Sequence, residues 1–315
     1  MEVQERPLIL PGLKSLLSAS AERCRACIRQ VEFSSKIEGV EASFHANYID
    51  FDGDGEPKLR ALAKVLMRHI VKYALSFRVR QQLKGSADDP DDANALQFLE
   101  ARRLFAQKQK AGDAGELLLY LLLESLFEAP QLVCKMELKT NNNDEVKGCD
   151  GIHARWDDAS GRLVVYLGES KLHGDLAGGL TSAFTSIKKF YDENRRSSEL
   201  MLVTSHFKHI NEPFREELSR FVDETSPANR QCRIVHACLI GWDWGEYREM
   251  AKNRQAFAKN FESLYKENLP NVVEMIQSRL KRFEYSHLDF EFLLLPFRSV
   301  QEFRDYFNAE LRGEL

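Results

Sequence analysis

Apolar and polar residues follow two periodicities along the chain, and the changes between them mark the predicted elements. Apolar residues spaced three to four apart predict helices at residues 13–30, 57–84, 96–110, 114–127, 178–194, 212–223, 246–283 and 300–311. Alternation or a continuous apolar run predicts strands at residues 43–51, 132–140, 146–156, 162–171, 199–205, 232–242 and 288–295. The central order of helix, three strands, helix and strand predicts an α/β core in which a meander precedes a crossover.

The same pattern divides the chain into four segments. Residues 1–86 are predicted to form an α+β region, which we expect to contribute to a partner interface. Residues 87–94 belong to a small, acidic, proline-containing stretch that indicates a linker. Residues 95–245 are predicted to form the α/β core, and residues 246–315 a helical region with one strand.

Composition narrows the class of protein. Apolar residues make up 43% and charged residues 29% of the 315, as in an ordinary globular chain. The net charge of −4 excludes binding of phosphate backbones by bulk charge, so nucleic-acid contacts would need local basic patches or a partner. The longest apolar stretches are too short to span a bilayer, and one Cys-x-x-Cys pair falls short of four zinc ligands. We therefore expect a cytoplasmic protein with reduced cysteines and no membrane partner.

The strand at residues 162–171 carries the first candidate chemistry. Residues 163–167 are apolar on both faces, which is typical of a central strand. Glu169 and Lys171 follow on one face and lie side by side at the rim of the sheet. Charged residues are seldom buried unless they are paired or bind a metal. A simple salt bridge at a strand end is the alternative.

Asp150 lies on the preceding predicted strand. A hairpin between the two strands can bring its carboxylate next to Glu169. Two close carboxylates favour a cation between them, and Mg²⁺ takes one or two carboxylates while keeping waters. The alternative is a turn residue beside Gly151.

Glu116 is a third candidate acid. Asp113 and Glu116 have the spacing of a capping box, which would explain both residues without any chemistry. The helix that follows is strongly apolar, so its N-terminus is held against the core and Glu116 can also reach a metal site.

These residues resemble a known arrangement. Asp150, then Glu169-Ser170-Lys171, after a helix carrying Glu116, resembles the PD-(D/E)xK nuclease superfamily. The longer blocks at residues 135–141, 146–153 and 167–171 are similar to those of the HamA family, the nuclease subunits of Hachiman anti-phage systems. The resemblance covers about residues 95–210. Gly148 and Cys149 stand before Asp150, where the superfamily's name has a proline.

The resemblance implies a fold and an activity. The fold would be a restriction-endonuclease-like α/β core, a mixed sheet flanked by helices, with mostly helical N-terminal and C-terminal additions. The activity would be a Mg²⁺-dependent deoxyribonuclease, with Mn²⁺ as a substitute, that works with a superfamily 2 helicase resembling HamB. Asp150 and Glu169, with Glu116, would hold the metal, and Lys171 would orient or activate the attacking water.

Basic and hydroxyl side chains supply candidate DNA contacts. They are Lys135, Lys139, Lys147, Ser182, Ser186, Lys188 and Lys189. Lys135 and Lys139 are predicted to face outward from a strand, and the others could equally belong to solvated surfaces.

Two further functions remain open: a catalytically silent subunit of a helicase complex, and an RNase toxin.

Overall fold

The structure is a computed structural model that describes residues 13–18, 21–106, 112–138, 148–209 and 212–314. Its strands are β1 (Ile28–Val31), β2 (Ala42–Ile49), β3 (Gly151–Asp157), β4 (Arg162–His173), β5 (Cys232–Asp243) and β6 (Asp289–Phe297). Its helices are α1 (Ala21–Arg25), α2 (Leu59–Met67), α3 (Ile70–Ala74), α4 (Phe77–Gly85), α5 (Pro90–Ala106), α6 (Asp113–Leu126), α7 (Lys135–Leu138), α8 (Leu176–Asp192), α9 (Arg195–Ser205), α10 (Glu212–Val222), α11 (Arg254–Leu280) and α12 (Val300–Arg312). Short 3-10 helices lie at Pro227–Gln231 and Gly245–Ala251.

One mixed sheet joins all six strands in the order β1-β2-β6-β5-β4-β3. The inner pairs β2–β6, β6–β5 and β5–β4 are parallel, and the outer pairs β1–β2 and β3–β4 are antiparallel. Strands from the first, third and fourth predicted segments therefore share a sheet. The predicted α/β class is confirmed, whereas the predicted three-strand meander is a two-strand hairpin, β3–β4, in the described residues.

Helices cover both faces of this sheet. Helices α2, α6 and α12 pack on one face, and α8 and α11 pack on the other. Helices α9 and α10 extend the second face beside β3 and β4. Residues 117–123 of helix α6 are apolar on every side of the helix, and all of them are buried. No helix within the described ranges is both long and apolar enough to cross a membrane.

Two predicted strands are wrong. Residues 131–134 make only isolated bridges, at Gln131 and Val133, after which the chain turns into α7. Residues 199–205 belong to helix α9, where Leu200 and Val203 face inward while Met201 is 66% exposed. Both segments are short apolar runs, which periodicity alone assigns poorly.

Two predicted helices are interrupted. The helix predicted at residues 13–30 gives way to β1, because Ile28 pairs with Ile49 of β2. The helix predicted at residues 57–84 is divided into α2, α3 and α4. Ser76 begins the last of these, since its hydroxyl accepts a hydrogen bond from the Val79 amide.

Candidate active site at the open edge of strand β4

The candidate site lies where β4 continues beyond its hairpin partner. The pairing of β3 with β4 begins at Gly151 and Gly168, so residues 169–173 of β4 pair with β5 alone among the described residues. The Asp150 amide donates to the Gly168 carbonyl at 2.7 Å. Asp150 therefore lies just before the first residue of β3, beside Glu169 and Ser170 on the edge of β4 that β3 leaves unpaired.

Asp150 is fixed by a residue that lies between the other two members of the motif. Its Oδ2 accepts hydrogen bonds from the Ser170 amide at 2.7 Å and the Ser170 hydroxyl at 2.9 Å. The residue is half-buried, with its carboxyl turned inward. Burial, together with the nearby carboxylates of Glu169 and Glu116, raises the pKa of Asp150 to about 7.

Glu169 and Lys171 form a hydrogen-bonded ion pair on one face of β4. Glu169 is buried, and the burial raises the pKa of its carboxyl even though Lys171 and Ser186 act in the opposite direction. The Lys171 side chain keeps 26% of its surface exposed. Burial opposes its charge, but Glu169 and Asp150 outweigh that effect and raise the pKa of Lys171. Lys171 is thus a protonated amine within reach of solvent.

Glu116 enters from the opposite face of the sheet. It lies in the first turn of α6, where its Oε2 accepts a hydrogen bond from the Tyr73 hydroxyl at 3.1 Å. Helix α6 can approach β4 closely because a Cβ at Gly115 would lie 3.2 Å from both the Ser170 hydroxyl and the Leu172 side chain. The helix begins at Asp113, after Gly112.

The donor set fits magnesium. Within the described residues, no group of three or more His, Cys, Asp or Glu side chains forms a ready-made metal cage. Mg²⁺ does not need one, because it is bound by one or two carboxylates and completes its shell with waters and phosphate oxygens. Asp150 and Glu169 supply two hard oxygen donors whose charges repel each other, and Glu116 adds to that repulsion. A divalent cation would relieve the repulsion.

Lys135 lies behind this site rather than on the surface, so its predicted outward position is wrong. It is 97% buried and pairs with the equally buried Glu199 of α9 at 2.5 Å. Its amine also donates to the Cys149 carbonyl at 2.5 Å. Glu199 packs so tightly against Gly148 that a Cβ there would lie 1.6 Å from Oε1. These contacts hold the backbone that leads into Asp150.

Four of the other predicted DNA contacts lie on α8. Ser186 lines the same small pocket as Glu169 and hydrogen-bonds to it, and Ser182 is half-buried one turn earlier. Lys188 and Lys189 are exposed; Lys188 contacts Glu284 at 2.6 Å and Asp192 at 3.2 Å. The predicted contacts Lys139 and Lys147 lie outside the described residues.

Three residues that complete the site were not anticipated from sequence. Ser170 was visible inside Glu-Ser-Lys, but nothing in the pattern showed that its hydroxyl would hold Asp150. Tyr73 and Glu199 come from distant segments, and Glu199 fell in a segment predicted as a strand. Only the tertiary structure brings them to Glu116 and Lys135.

Comparison with known proteins assigns a family. No curated protein matches the chain. The sequence profile of the HamA family matches residues 27–311, nearly the whole chain and well beyond residues 95–210. The match confirms the resemblance drawn from the three motif blocks and associates the protein with Hachiman defence. The chain belongs to the HamA family.

Proposed function

We propose that this protein is a metal-dependent deoxyribonuclease, the effector of a Hachiman anti-phage system. The observation that supports the proposal is the grouping of Asp150, Glu169 and Lys171 at the open edge of β4. Two repelling carboxylates beside a protonated lysine suit a phosphodiester, whose cleavage is promoted by a cation and by a donor near the developing negative charge.

Each residue has a distinct part in this proposal. Mg²⁺ held by Asp150 and Glu169 would polarise the phosphate and lower the pKa of a bound water. Ser170 keeps the Asp150 carboxylate in one orientation through two hydrogen bonds. Lys171, with its raised pKa, acts as a charged donor that orients the attacking water and stabilises negative charge, rather than as a base. Glu116, held by Tyr73, contributes further negative charge toward the cation.

The partner in this proposal is a superfamily 2 helicase resembling HamB. A net charge of −4 supports an enzyme that binds DNA weakly until a partner delivers it. We also propose that residues 1–86 contribute to that interface. Deletion of residues 1–86 is unsuitable as a test, because β1 and β2 belong to the central sheet. Arg78 and Lys84 of α4 are exposed, so reversing both charges, Arg78→Glu with Lys84→Glu, should instead weaken capture of the helicase in a pull-down.

The decisive experiment is plasmid cleavage by the purified protein, alone and with its helicase and ATP, in Mg²⁺ or in EDTA. The Glu169→Ala, Lys171→Ala variant should abolish cleavage while its circular dichroism spectrum remains native. The matched control is Glu249→Ala, Lys252→Ala, which removes an exposed Lys–Glu pair and should leave cleavage unchanged.

The other outcomes are equally informative. Full cleavage by the Glu169, Lys171 variant would refute the proposed site. Cleavage of RNA but not DNA in a substrate panel would refute the substrate. Absence of any cleavage, with the helicase bound and phage defence unaffected by the variant, would instead support a catalytically silent subunit.

A further inference from the structure

Helix α8 presents an exposed surface without acidic residues. From Leu176 to Tyr191 it carries threonine, serine and lysine on its polar side, and its first acid is Asp192. The whole chain has 48 acidic residues against 44 basic ones, so such a surface is a local departure from the average. Acid-free, hydroxyl-rich surfaces suit phosphate oxygens, which accept hydrogen bonds and repel carboxylates.

One flank of α8 borders the candidate active site. Ser186 hydrogen-bonds to Glu169 and lines a pocket with it. Ser182, one helical turn earlier, lies on the same flank. The polar face of the helix therefore begins at the acid and lysine proposed to perform the chemistry.

The other flank of α8 borders a groove of about 490 Å³. The groove lies between α8 and the C-terminal end of α11, and Thr181, Thr185, Arg279 and Arg282 contribute polar side chains to it. Phe184 and Phe283, in edge-to-face contact at 4.9 Å, form an apolar wall. The groove thus combines hydroxyls, guanidinium groups and aromatic surface.

The positive charge of the groove comes from its arginines. Arg279 donates to the carbonyls of Ala177 and Met275, both at 3.2 Å, and these contacts leave its charge unneutralised. Arg282 is exposed and forms no ion pair with any residue the structure describes. Lys188, in contrast, is already paired with Glu284 and Asp192. Among the described residues that line the groove, the two guanidinium groups are therefore the cations that form no ion pair.

We propose that this groove binds the sugar–phosphate backbone of a nucleic acid strand, whose next segment crosses the polar face of α8 to reach Glu169 and Lys171. The inference rests on the proposed nuclease function and extends it with a second contact region, at Arg279, Arg282, Thr181 and Thr185. Arginine suits this task because its planar fork of donors matches phosphate oxygens. The width of α8, about 10 Å, separates the groove from the active site by a short length of strand.

The test measures binding without cleavage. The full-length protein is titrated in EDTA against a fluorescent single-stranded oligonucleotide and its duplex, and anisotropy is followed at several salt concentrations. We expect Arg279→Glu, Arg282→Glu to weaken binding about tenfold or more. The salt slope for the single strand should fall by about 1.4, since two phosphate contacts are lost. Arg282→Glu alone, which breaks no side-chain hydrogen bond in the described chain, should show part of the effect.

The chain provides a charge-matched control. Arg248→Glu, Lys259→Glu makes the same change of charge near the other end of α11, where Lys259 lies about 30 Å along the helix from Arg279. Binding by this variant should match the wild type. Equal weakening in both variants would show that binding depends only on the overall charge of the protein, and it would overturn the proposed binding in the groove.

The remaining outcomes separate this inference from the function on which it rests. No measurable binding by the wild-type protein at low salt would overturn the inference. Unchanged oligonucleotide binding by the groove variant, with loss of helicase capture, would identify an acidic protein surface as the occupant and also overturn it. Normal oligonucleotide binding through the groove by a protein that cleaves nothing would refute the nuclease and leave the groove standing.

Discussion

Two Lys–Glu pairs lie on either side of Asp150, and their surroundings differ. Lys135 and Glu199 are each 97% buried, and the same cluster supplies further hydrogen bonds from Lys135 to Cys149. Glu169 and Lys171 lie at an open strand edge, where Lys171 is 26% exposed. We call the first pair closed, because both side chains are shielded from solvent and their charges neutralise each other. The second pair is open and is accompanied by two further carboxylates, Asp150 and Glu116.

The difference shows what separates a structural charge pair from a candidate catalytic one. Both pairs have the same chemistry, and burial alone does not distinguish them, since Glu169 is also buried. The open pair has an excess of negative charge and access to solvent, which are the properties that the proposed binding of a cation and a phosphate requires. The closed pair is shielded from solvent and has no excess charge. It instead fixes the position of the backbone before Asp150.

The largest expected effect is on catalysis at the open pair. Glu169→Gln keeps the shape of the side chain but removes the charge that would bind Mg²⁺. We expect cleavage to fall by about a thousandfold. Glu249→Gln removes one carboxylate of the exposed pair with Lys252 and is the control in the same plasmid assay. Near-normal cleavage by Glu169→Gln would refute the assignment of the open pair to catalysis.

The next effect is on stability at the closed pair. Glu199→Ala leaves the Lys135 ammonium buried without its carboxylate, which should lower the free energy of unfolding by about 3–5 kcal/mol. Urea denaturation measures this loss. Glu284→Ala, at an exposed pair, should cost less than about 1 kcal/mol. Similar losses in the two variants would mean that Lys135 is not closed off from solvent.

The free energy of unfolding of the metal-free protein should also fall as pH rises, because Asp150 becomes charged in a buried position. The pKa of Asp150 in the folded protein is about 7, above the value of about 3.9 expected in an unfolded chain. The stability contributed by its protonated form is therefore fully present below pH 4 and is lost as pH rises through 7. Asp150→Asn should stabilise the metal-free protein by about 2 kcal/mol at pH 8 and by much less at pH 4.

Magnesium provides the control for this prediction. At pH 8, Mg²⁺ should raise the melting temperature of the wild-type protein but not of Asp150→Asn, because binding to the folded state requires the carboxylate. A variant whose stability advantage is the same at both pH values would show that Asp150 carries no repelling charge.

The smallest expected effect comes from removing both charges of the closed pair. Lys135→Met with Glu199→Leu replaces a buried ion pair by apolar side chains of similar size, which is often neutral. We expect the unfolding free energy to stay within about 1 kcal/mol of the wild type. Cleavage should still slow by about tenfold. The Cys149 carbonyl loses its hydrogen-bond donor, so the backbone that leads into Asp150 is held less firmly. Full cleavage would show that this backbone needs no such support.

The sequence predicted the strands of the site well because their signals are local. The apolar runs of β4, β5 and β6 are long enough to identify buried parallel strands, and all three were assigned within a few residues. Glu169 and Lys171 follow from the alternation of β4, and the hairpin places Asp150 beside them. The informative feature of β4 is that its two charged residues follow directly after an uninterrupted apolar run.

The parts that sequence did not predict depend on distant residues. The local pattern predicts an outward position for Lys135, because its partner Glu199 lies 64 residues away, in a helix that the same pattern predicts as a strand. The run around Leu200 is too short for its period to separate helix from strand. The division of residues 57–84 into three helices depends partly on tertiary contacts, such as the hydrogen bond from the Phe77 amide to the Lys208 carbonyl.

The place of β6 in the sheet has a consequence for synthesis of the protein. This strand is formed by residues 289–297, yet it lies between β2 and β5 and joins the two halves of the sheet. A ribosome must therefore synthesise all residues up to 297 before β2 and β5 gain the strand that lies between them, and such late, long-range pairing is slow. A polypeptide terminated early by a nonsense codon would keep the motif residues but lack the strand that supports them, so incomplete products should be harmless to the cell that makes them.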